Sequence, residues 1–172
     1  REDPAVQPAF DYARTGNPGR STLAAAIAEL EHAAGAVVTC SGMAAIDLLL
    51  HDLPFGARVI CSHDAYGGTR RLLDARGRGG RLLPVYVETA DTEAVAAALK
   101  EPAALVLVET PSNPRLRISD LRAIADLAHA AGAELAVDNT VLSPALQRPL
   151  DHGADYSVQS VTKLLNGHSD MV

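Results

Sequence analysis

The sequence is poor in aromatic residues and has no long hydrophobic run. Aromatic side chains make up 3% of the 172 residues and tryptophan is absent, so alanine, leucine and valine must fill the core. No apolar stretch approaches the roughly 20 residues that a membrane helix needs. The opening residues, REDPAVQPAF, also lack the basic and then apolar layout of a signal peptide. We therefore expect a cytoplasmic protein that does not span a membrane.

Positive charge is also scarce. The chain has 15 lysine and arginine residues against 21 aspartate and glutamate residues, which gives a formal net charge of -6. Because proteins that bind nucleic acid usually present a basic surface, nucleic acid is not an expected partner. Small molecules and further copies of the chain are the expected partners.

Cysteine occurs only twice. Cys40 and Cys61 stand alone in apolar, strand-like surroundings without a CxxC partner, so we expect two reduced thiols in the core rather than a disulfide. His63 and His168 lack histidine or cysteine neighbours at zinc spacing. No metal site is therefore expected.

Helical and strand-like patterns alternate along the chain. Helices are predicted over residues 21–35, 41–50, 66–80, 91–101 and 118–132, and strands over residues 36–40, 57–62, 81–87, 104–110 and 134–140. The first helix is expected to begin at Ser21 or Thr22 and the last at Ser119. Gly35 and Gly132 are expected to end them.

The predicted strands are apolar on both faces, which is typical of a parallel sheet covered by helices on each side. The predicted fold is therefore α/β, with a doubly wound and mostly parallel sheet. No linker, repeat or low-complexity tract marks a domain boundary inside it. Residues 1–20 show no periodicity, so we expect this segment to pack against another surface.

Polar residues follow the predicted strands, which is where a doubly wound sheet binds ligands. Gly42 and Met43 open a helix whose free backbone N–H groups suit a phosphate, although a tight structural turn would use glycine equally well. Asn113 lies between two prolines after the strand at 104–110, and a plain rigid turn would also explain it.

Two further segments carry charged residues. Asp138 leaves an apolar strand, where a carboxylate either meets a cationic partner such as a ligand or caps a helix. Lys163 follows Ser160 and Thr162 in a strand-to-loop segment. It is one of only two lysines. Because the chain otherwise uses arginine for positive charge, a lysine here hints at amine chemistry.

Taken in order, these segments resemble the pyridoxal-phosphate enzymes of cysteine and methionine metabolism, a branch of the aspartate-aminotransferase (type I) fold. The matching segments span nearly the whole chain: YARTGNPGR, SGMAAI, DAYGGT, VETPSNP, AVDNT, LSPALQRPL, GAD and SVTKLLNGHSD. Within the family, LSPALQRPL and NGHSD look most like bacterial cystathionine γ-synthases. The resemblance implies pyridoxal 5'-phosphate as the cofactor.

The resemblance assigns the ring contacts. It implies that Lys163 forms the Schiff base with the cofactor, which an arginine could not do. Asp138 would face the pyridine nitrogen and keep it protonated, and Tyr66 would stack on the ring. Asn113 would reach the phenolic oxygen of the ring.

The resemblance also assigns the phosphate contacts. Backbone N–H groups of Gly42 and Met43, together with the hydroxyls of Ser160 and Thr162, would hold the phosphate.

The resemblance implies a shared active site between subunits. Residues 1–20 would form an N-terminal arm whose Tyr12 and Arg14 contact the phosphate of a neighbouring subunit, in a dimer of active-site-sharing dimers. Residues 21–172 would form the cofactor-binding large domain, apparently truncated, without the C-terminal domain of the family. Tyr66 or Tyr12 would move protons near the leaving group.

The expected reaction is a γ-replacement in methionine biosynthesis, which joins an O-activated homoserine, with O-succinylhomoserine as the first choice, to L-cysteine and gives cystathionine. The alternative is an elimination of the cystathionine γ-lyase, cystathionine β-lyase or methionine γ-lyase type. Methionine γ-lyases often carry a cysteine after the first glycine of the YGG segment, where this chain has Gly68. A further alternative is a truncated chain that binds cofactor without turnover.

Overall fold

A five-stranded sheet forms the centre of the computed structural model, which describes residues 10–171. Its strands run in the order β2-β1-β3-β4-β5 and all pair in parallel. They are β1 (Ala57–Ser62), β2 (Leu82–Val87), β3 (Leu105–Glu109), β4 (Glu134–Asp138) and β5 (Tyr156–Val158). The predicted α/β fold with a mostly parallel sheet is confirmed.

Helices cover both faces of this sheet. They are α1 (Pro18–Glu31), α2 (Gly42–His51), α3 (Gly67–Arg78), α4 (Thr92–Ala98), α5 (Leu121–Ala130) and the short α6 (Ser143–Leu146), followed by a 3₁₀ helix over Pro149–His152. Central strand β3 shows how the two faces are filled. Val106 and Val108 pack in the cluster that includes Ile124 of α5, whereas Leu105 and Leu107 pack in the cluster with α2 and α3. Because strand side chains alternate, a wholly apolar strand feeds two cores.

Two predicted helix starts are wrong. Helix α1 begins at Pro18, and Asn17 rather than Ser21 or Thr22 caps it by accepting the Arg20 N–H. Proline is favoured in the first turn because its missing N–H is not needed there. Helix α5 is capped by Asp120 rather than Ser119, since the Asp120 carboxylate accepts the Ala123 N–H.

Two helix ends also differ from the prediction. Helix α1 ends at Glu31 instead of Gly35, and the following residue, His32, adopts a left-handed conformation with φ of 55°. Helix α5 ends at Ala130, shortly before Gly132, whose φ is +75°. Only the second of the two glycines therefore adopts the conformation that favours glycine after a helix.

The segment at 36–40 is not a strand, although its sequence predicts one. It lies outside the five paired strands, and Val37 is 75% exposed. A strand needs a neighbour to accept and donate its backbone hydrogen bonds, and no such partner exists among residues 10–171. As a consequence Cys40 is exposed rather than in the core, while Cys61 on β1 is fully buried; both are free thiols.

The strand order fixes where a ligand can bind. In an order of 2-1-3-4-5, the chain switches direction across the sheet between β1 and β3, and the crevice lies beyond the carboxyl ends of the strands. Across residues 10–171, no helix is long and apolar enough to cross a bilayer.

Candidate active site

Two carboxyl groups lie side by side at the carboxyl edge of the sheet. Glu109 ends β3, Asp138 ends β4, and the parallel register pairs them directly. Val158 pairs with Asp138 from β5, which brings the segment leading to Lys163 to the same edge. A small, narrow pocket lies here between strands β3 and β4 and helices α2 and α3; it is lined by Ile46, Ala65, Thr69, Leu107, Val108, Glu109 and Asp138.

A hydrogen-bond chain connects Asp138 to Ser160. The Thr140 hydroxyl donates to Asp138 Oδ1 at 2.5 Å, and the Thr140 N–H donates to the same oxygen at 3.1 Å. The Ser160 N–H in turn donates to the Thr140 hydroxyl at 2.9 Å. The predicted ring-facing carboxylate and a predicted phosphate contact are therefore held by one shared residue.

The surroundings of the Asp138 carboxyl group favour a cationic ligand. Burial raises its pKa above the ordinary value, while the hydrogen bonds from Thr140 and the positive charge of Lys163 lower it; burial has the larger effect. A carboxylate in this state is stabilised by a further positive charge placed against it. The Lys163 N–H bonds to the Ser160 carbonyl, and Ser160 is connected through Thr140 to Asp138, so the backbone that carries Lys163 lies near this carboxyl group.

The start of α2 forms a cradle with Ser160. Ser41 caps the helix by accepting the Ala44 N–H, so Gly42 and Met43 stand in the first turn with unpaired N–H groups. A Cβ atom added to Gly42 would lie 2.8 Å from the Ser160 Cβ and 3.1 Å from its Cα. Only glycine permits this close approach, and the helix N-terminus favours an anion there.

Lys163 lies in a turn directly after the Ser160 segment. Its own N–H donates to the Ser160 carbonyl at 3.1 Å, and its carbonyl accepts the Gly167 N–H at 2.9 Å. The side chain of Lys163 is exposed, whereas Thr162 beside it is half-buried. A turn fixed at both ends thus presents one solvent-accessible amine at the edge of the sheet.

Tyr66 lies at the start of α3, above the same edge. Its side chain is 46% exposed, so one face of the ring remains available. A Cβ atom at Gly68 would stand 3.0 Å from the Tyr66 Cδ1 and 2.9 Å from the Met43 Sδ. Gly68 therefore leaves room for the tyrosine ring to pack against Met43 of α2.

Asn113 occupies the loop after β3. Its side chain is exposed, and its backbone N–H faces the Glu109 carboxyl group and lowers the pKa of that group. The loop is fixed to β1 as well, because the Ser112 hydroxyl donates to Asp64 at 2.6 Å.

Tyr12 and Arg14 lie in the segment that precedes α1. Both are exposed, and the Arg14 guanidinium stacks over the Tyr12 ring at 4.4 Å. Arg20 shapes the segment by donating to the carbonyls of residues 13–15. Within residues 10–171, the recorded hydrogen bonds and ring contacts of Tyr12 and Arg14 stay inside this N-terminal segment.

Three residues at the site are absent from the sequence-based prediction. Glu109 ends an apolar strand exactly as Asp138 does, so the same signal could have identified it. Thr140 stands two residues after Asp138, a spacing that lets its hydroxyl donate a hydrogen bond to the Asp138 carboxylate. Thr69 is a buried hydroxyl in the pocket, without a hydrogen-bond partner among the described residues; it ends the segment DAYGGT, which the family resemblance had already marked.

One group of possible metal ligands lies nearby. Atoms of His63, Asp64 and Glu88 fall within 4.8 Å of one another. Glu88 already forms an ion pair with Arg117, and Asp64 accepts the Ser112 hydroxyl. The group is half-buried beyond the ends of β1 and β2, and a cation and a protein donor already engage its two carboxylates.

The fold is shared with solved enzymes. The crystal structure of cystathionine gamma synthase from Xanthomonas oryzae pv. oryzae, in complex with aminoacrylate and cysteine, superposes with a TM-score of 0.94 at 47% identity; the match covers 98% of this chain and 44% of that one. The chain thus has the architecture of the large domain of type I pyridoxal-phosphate enzymes.

Sequence comparison defines the family. The chain is 50% identical over 165 residues to cystathionine gamma-synthase of Escherichia coli K12, covering 95% of this chain and 43% of that protein. It is 42% identical over 163 residues to cystathionine gamma-lyase of Dictyostelium discoideum, covering 95% and 42%. The profile of the Cys/Met metabolism PLP-dependent enzymes matches residues 3–172, and the chain belongs to this family. It spans less than half the length of these relatives.

The residues present fit the cofactor of this family. The Gly42–Ser160 cradle is closed to a Cβ atom, the Thr69 hydroxyl is buried and unpaired among the described residues, and burial raises the pKa of Asp138. The cradle is complementary to a phosphate, the Thr69 hydroxyl to a polar substituent of the ring, and the Asp138 carboxyl to a protonated ring nitrogen.

Proposed function

We propose that the protein carrying this chain is a pyridoxal-phosphate enzyme that joins an O-activated homoserine, with O-succinylhomoserine as the first candidate, to L-cysteine and releases cystathionine. The observation that carries the proposal is the convergence of Lys163, Asp138 and the Gly42–Ser160 cradle at one sheet edge. An amine, a buried carboxylate and an anion cradle are complementary to the aldehyde, ring nitrogen and phosphate of one molecule.

Each side chain would have a separate task. When bound, pyridoxal phosphate supplies an electron-withdrawing ring that acidifies the carbons of an amino acid. Lys163 Nζ would attach the cofactor and carry a proton to or from substrate carbon. Asp138 Oδ atoms would hold the proton on the ring nitrogen, and Tyr66 would cover one ring face. Asn113 would donate to the ring oxygen.

The phosphate would rest at the start of α2. Backbone N–H groups of Gly42 and Met43 would donate to it, together with the hydroxyls of Ser160 and Thr162. Because hydrogen bonds to a charged group contribute about 1.5 to 3 kcal/mol each, this cradle would supply much of the cofactor affinity.

Methionine γ-lyases often carry a cysteine where this chain has Gly68, so the glycine favours the γ-replacement over the methionine γ-lyase reaction. A side chain at this position would run into the Met43 sulfur and the Tyr66 ring. The synthase and lyase relatives both lie between 42% and 50% identity, so elimination by a cystathionine lyase is the second candidate. Both reactions would use the same amine and carboxylate and would differ in whether cysteine enters.

Covalent labelling tests the cofactor part of the proposal. The protein, expressed at full length, would be incubated with pyridoxal phosphate, reduced with borohydride and digested. We expect the label on the peptide that contains Lys163, and its loss in Lys163→Arg. Lys100→Arg is the matched control because Lys100 is the other lysine of this chain. A labelled protein whose Lys163 peptide is unmodified would contradict the proposed role of this amine.

Product analysis separates the two reactions. With O-succinylhomoserine and cysteine, a synthase consumes cysteine and forms cystathionine in equal amounts. Formation of a 2-oxo acid and ammonia from cystathionine, with no consumption of added cysteine, would instead assign the protein to the lyases.

A further inference from the structure

Glu109 is a buried acid with no role in the prediction or in the mechanism above. It is 6% exposed at the end of β3, directly beside Asp138 of β4. Its side chain lines the pocket together with Thr69 and Asp138. Burying an acidic group next to a second one is unfavourable unless the structure supplies donors.

The donors come from two different loops. The Tyr66 N–H, at the start of α3, donates to Glu109 Oε2 at 2.5 Å. The Asn113 N–H, in the loop after β3, faces the same carboxyl group and lowers its pKa. Tyr66 and Asn113 lie 47 positions apart in sequence, and this one side chain accepts a hydrogen bond from the first and interacts with the backbone of the second.

The backbone of Glu109 is itself fixed. Its N–H donates to the Ser62 hydroxyl on β1 at 3.3 Å, and Ser62 is bonded to Thr89 at 2.8 Å. The carboxyl group therefore projects from a rigid, central strand, and the start of α3 cannot move away from the sheet edge without breaking the hydrogen bond from the Tyr66 N–H.

We propose that Glu109 is a positioning residue that sets Tyr66 and Asn113 at a fixed spacing across the cofactor ring. This inference rests on the proposed function for the identity of the ligand. A carboxylate suits the task because it has two acceptor oxygens and no donor, whereas a glutamine has one acceptor and an N–H₂ group that would face a backbone N–H. Its contact with the ring site is indirect, through the two loops.

Hydrogen exchange without cofactor tests the connection itself. In the full-length apoprotein, Glu109→Gln and Glu109→Ala should accelerate exchange about tenfold in the peptides containing Tyr66 and Asn113. Glu88→Gln is the matched control, because Glu88 also follows a strand at this edge but pairs with Arg117. Exchange raised throughout the protein, or unchanged at both loops, would overturn the inference.

Cofactor binding tests the consequence. We expect the dissociation constant for pyridoxal phosphate to rise about tenfold in Glu109→Ala, and the visible circular dichroism of bound cofactor to change, since this signal reports ring orientation. Wild-type affinity and dichroism in both variants would overturn the positioning role. If the wild type fails to bind pyridoxal phosphate, the proposed function fails, and the positioning of a ring by Glu109 falls with it. If Glu109→Ala does not fold, hydrogen exchange and cofactor binding of Glu109→Gln alone test the inference.

Discussion

At the residue scale, the site is dominated by two acidic side chains that the fold buries side by side. Burial raises the pKa of Glu109 to about 7, with Asp138 and Asp64 adding to the effect and the N–H groups of Tyr66 and Asn113 opposing it. Burial also raises the pKa of Asp138, although Thr140 and Lys163 reduce this increase. A cationic ligand at this edge would relieve the repulsion between the two groups.

This acidity predicts how stability depends on pH. Because the pKa of folded Glu109, about 7, exceeds its ordinary value of 4.5, its favourable contribution is complete below pH 4.5 and is lost as pH rises through 7. The loss is about 3 kcal/mol at most. We expect the unfolding midpoint of the apoprotein to fall less between pH 4.5 and 7.5 in Glu109→Gln than in the wild type. Parallel pH profiles for the two proteins would show that Glu109 does not titrate in this range.

At the element scale, the first turn of α2 and the turn that carries Lys163 act as one unit. Ser41 caps the helix, Gly42 gives it close access to Ser160, and Thr140 connects Ser160 to Asp138. Elements that are more than 100 positions apart in sequence thereby form a single cradle. The shape of this cradle depends on Gly42, which has no Cβ atom.

Gly42→Ala should damage this cradle. The new Cβ would stand 2.8 Å from the Ser160 Cβ, and forcing an extra methyl group into packed surroundings costs about 1 to 3 kcal/mol. We expect an affinity for pyridoxal phosphate at least about tenfold lower, measured by fluorescence titration of the apoprotein. Gly35→Ala is the control, since nothing lies within 4 Å of a Cβ atom at Gly35. Equal affinities in the two variants would contradict the cradle.

At the scale of the whole molecule, the N-terminal segment presents two side chains to solvent. Tyr12 and Arg14 are exposed and stacked on each other. We propose that residues 1–20 form an arm that delivers these two side chains to the phosphate of a neighbouring subunit. Residues 1–9 of this arm lie outside the described residues, and so does Val172 at the end of the proposed 21–172 domain.

Loss of the arginine should weaken cofactor binding and assembly together. We expect Arg14→Ala to lower cofactor occupancy, with an affinity about tenfold weaker or more, and to shift the oligomer towards smaller species in analytical ultracentrifugation. Arg78→Ala, an exposed arginine at the end of α3, should change neither. Unaltered occupancy and assembly in purified Arg14→Ala would refute the donated arm.

The sequence by itself determined the alternation of β1 to β4 with helices, the parallel sheet and the carboxyl edge at which Asp138 lies. These follow from local information, because hydrophobic periodicity reports helices and strands, and parallel strands place their carboxyl ends at one edge. The family motifs added the expected role of each residue. Helix boundaries were less accurate, as Asn17 and Asp120 show, since several neighbouring residues can cap equally well.

Only the tertiary structure decided which segments have a neighbouring strand and which side chains have hydrogen-bond partners. Residues 36–40 have the composition of a strand but no neighbouring strand among the described residues, so they stay irregular and leave Cys40 exposed. Glu109 carries the same local signal as Asp138, yet its position beside Asp138 and its hydrogen bond from the Tyr66 N–H become visible only in the folded structure. Hydrogen bonds and burial depend on atoms that are distant in sequence, and local patterns contain no information about those distances.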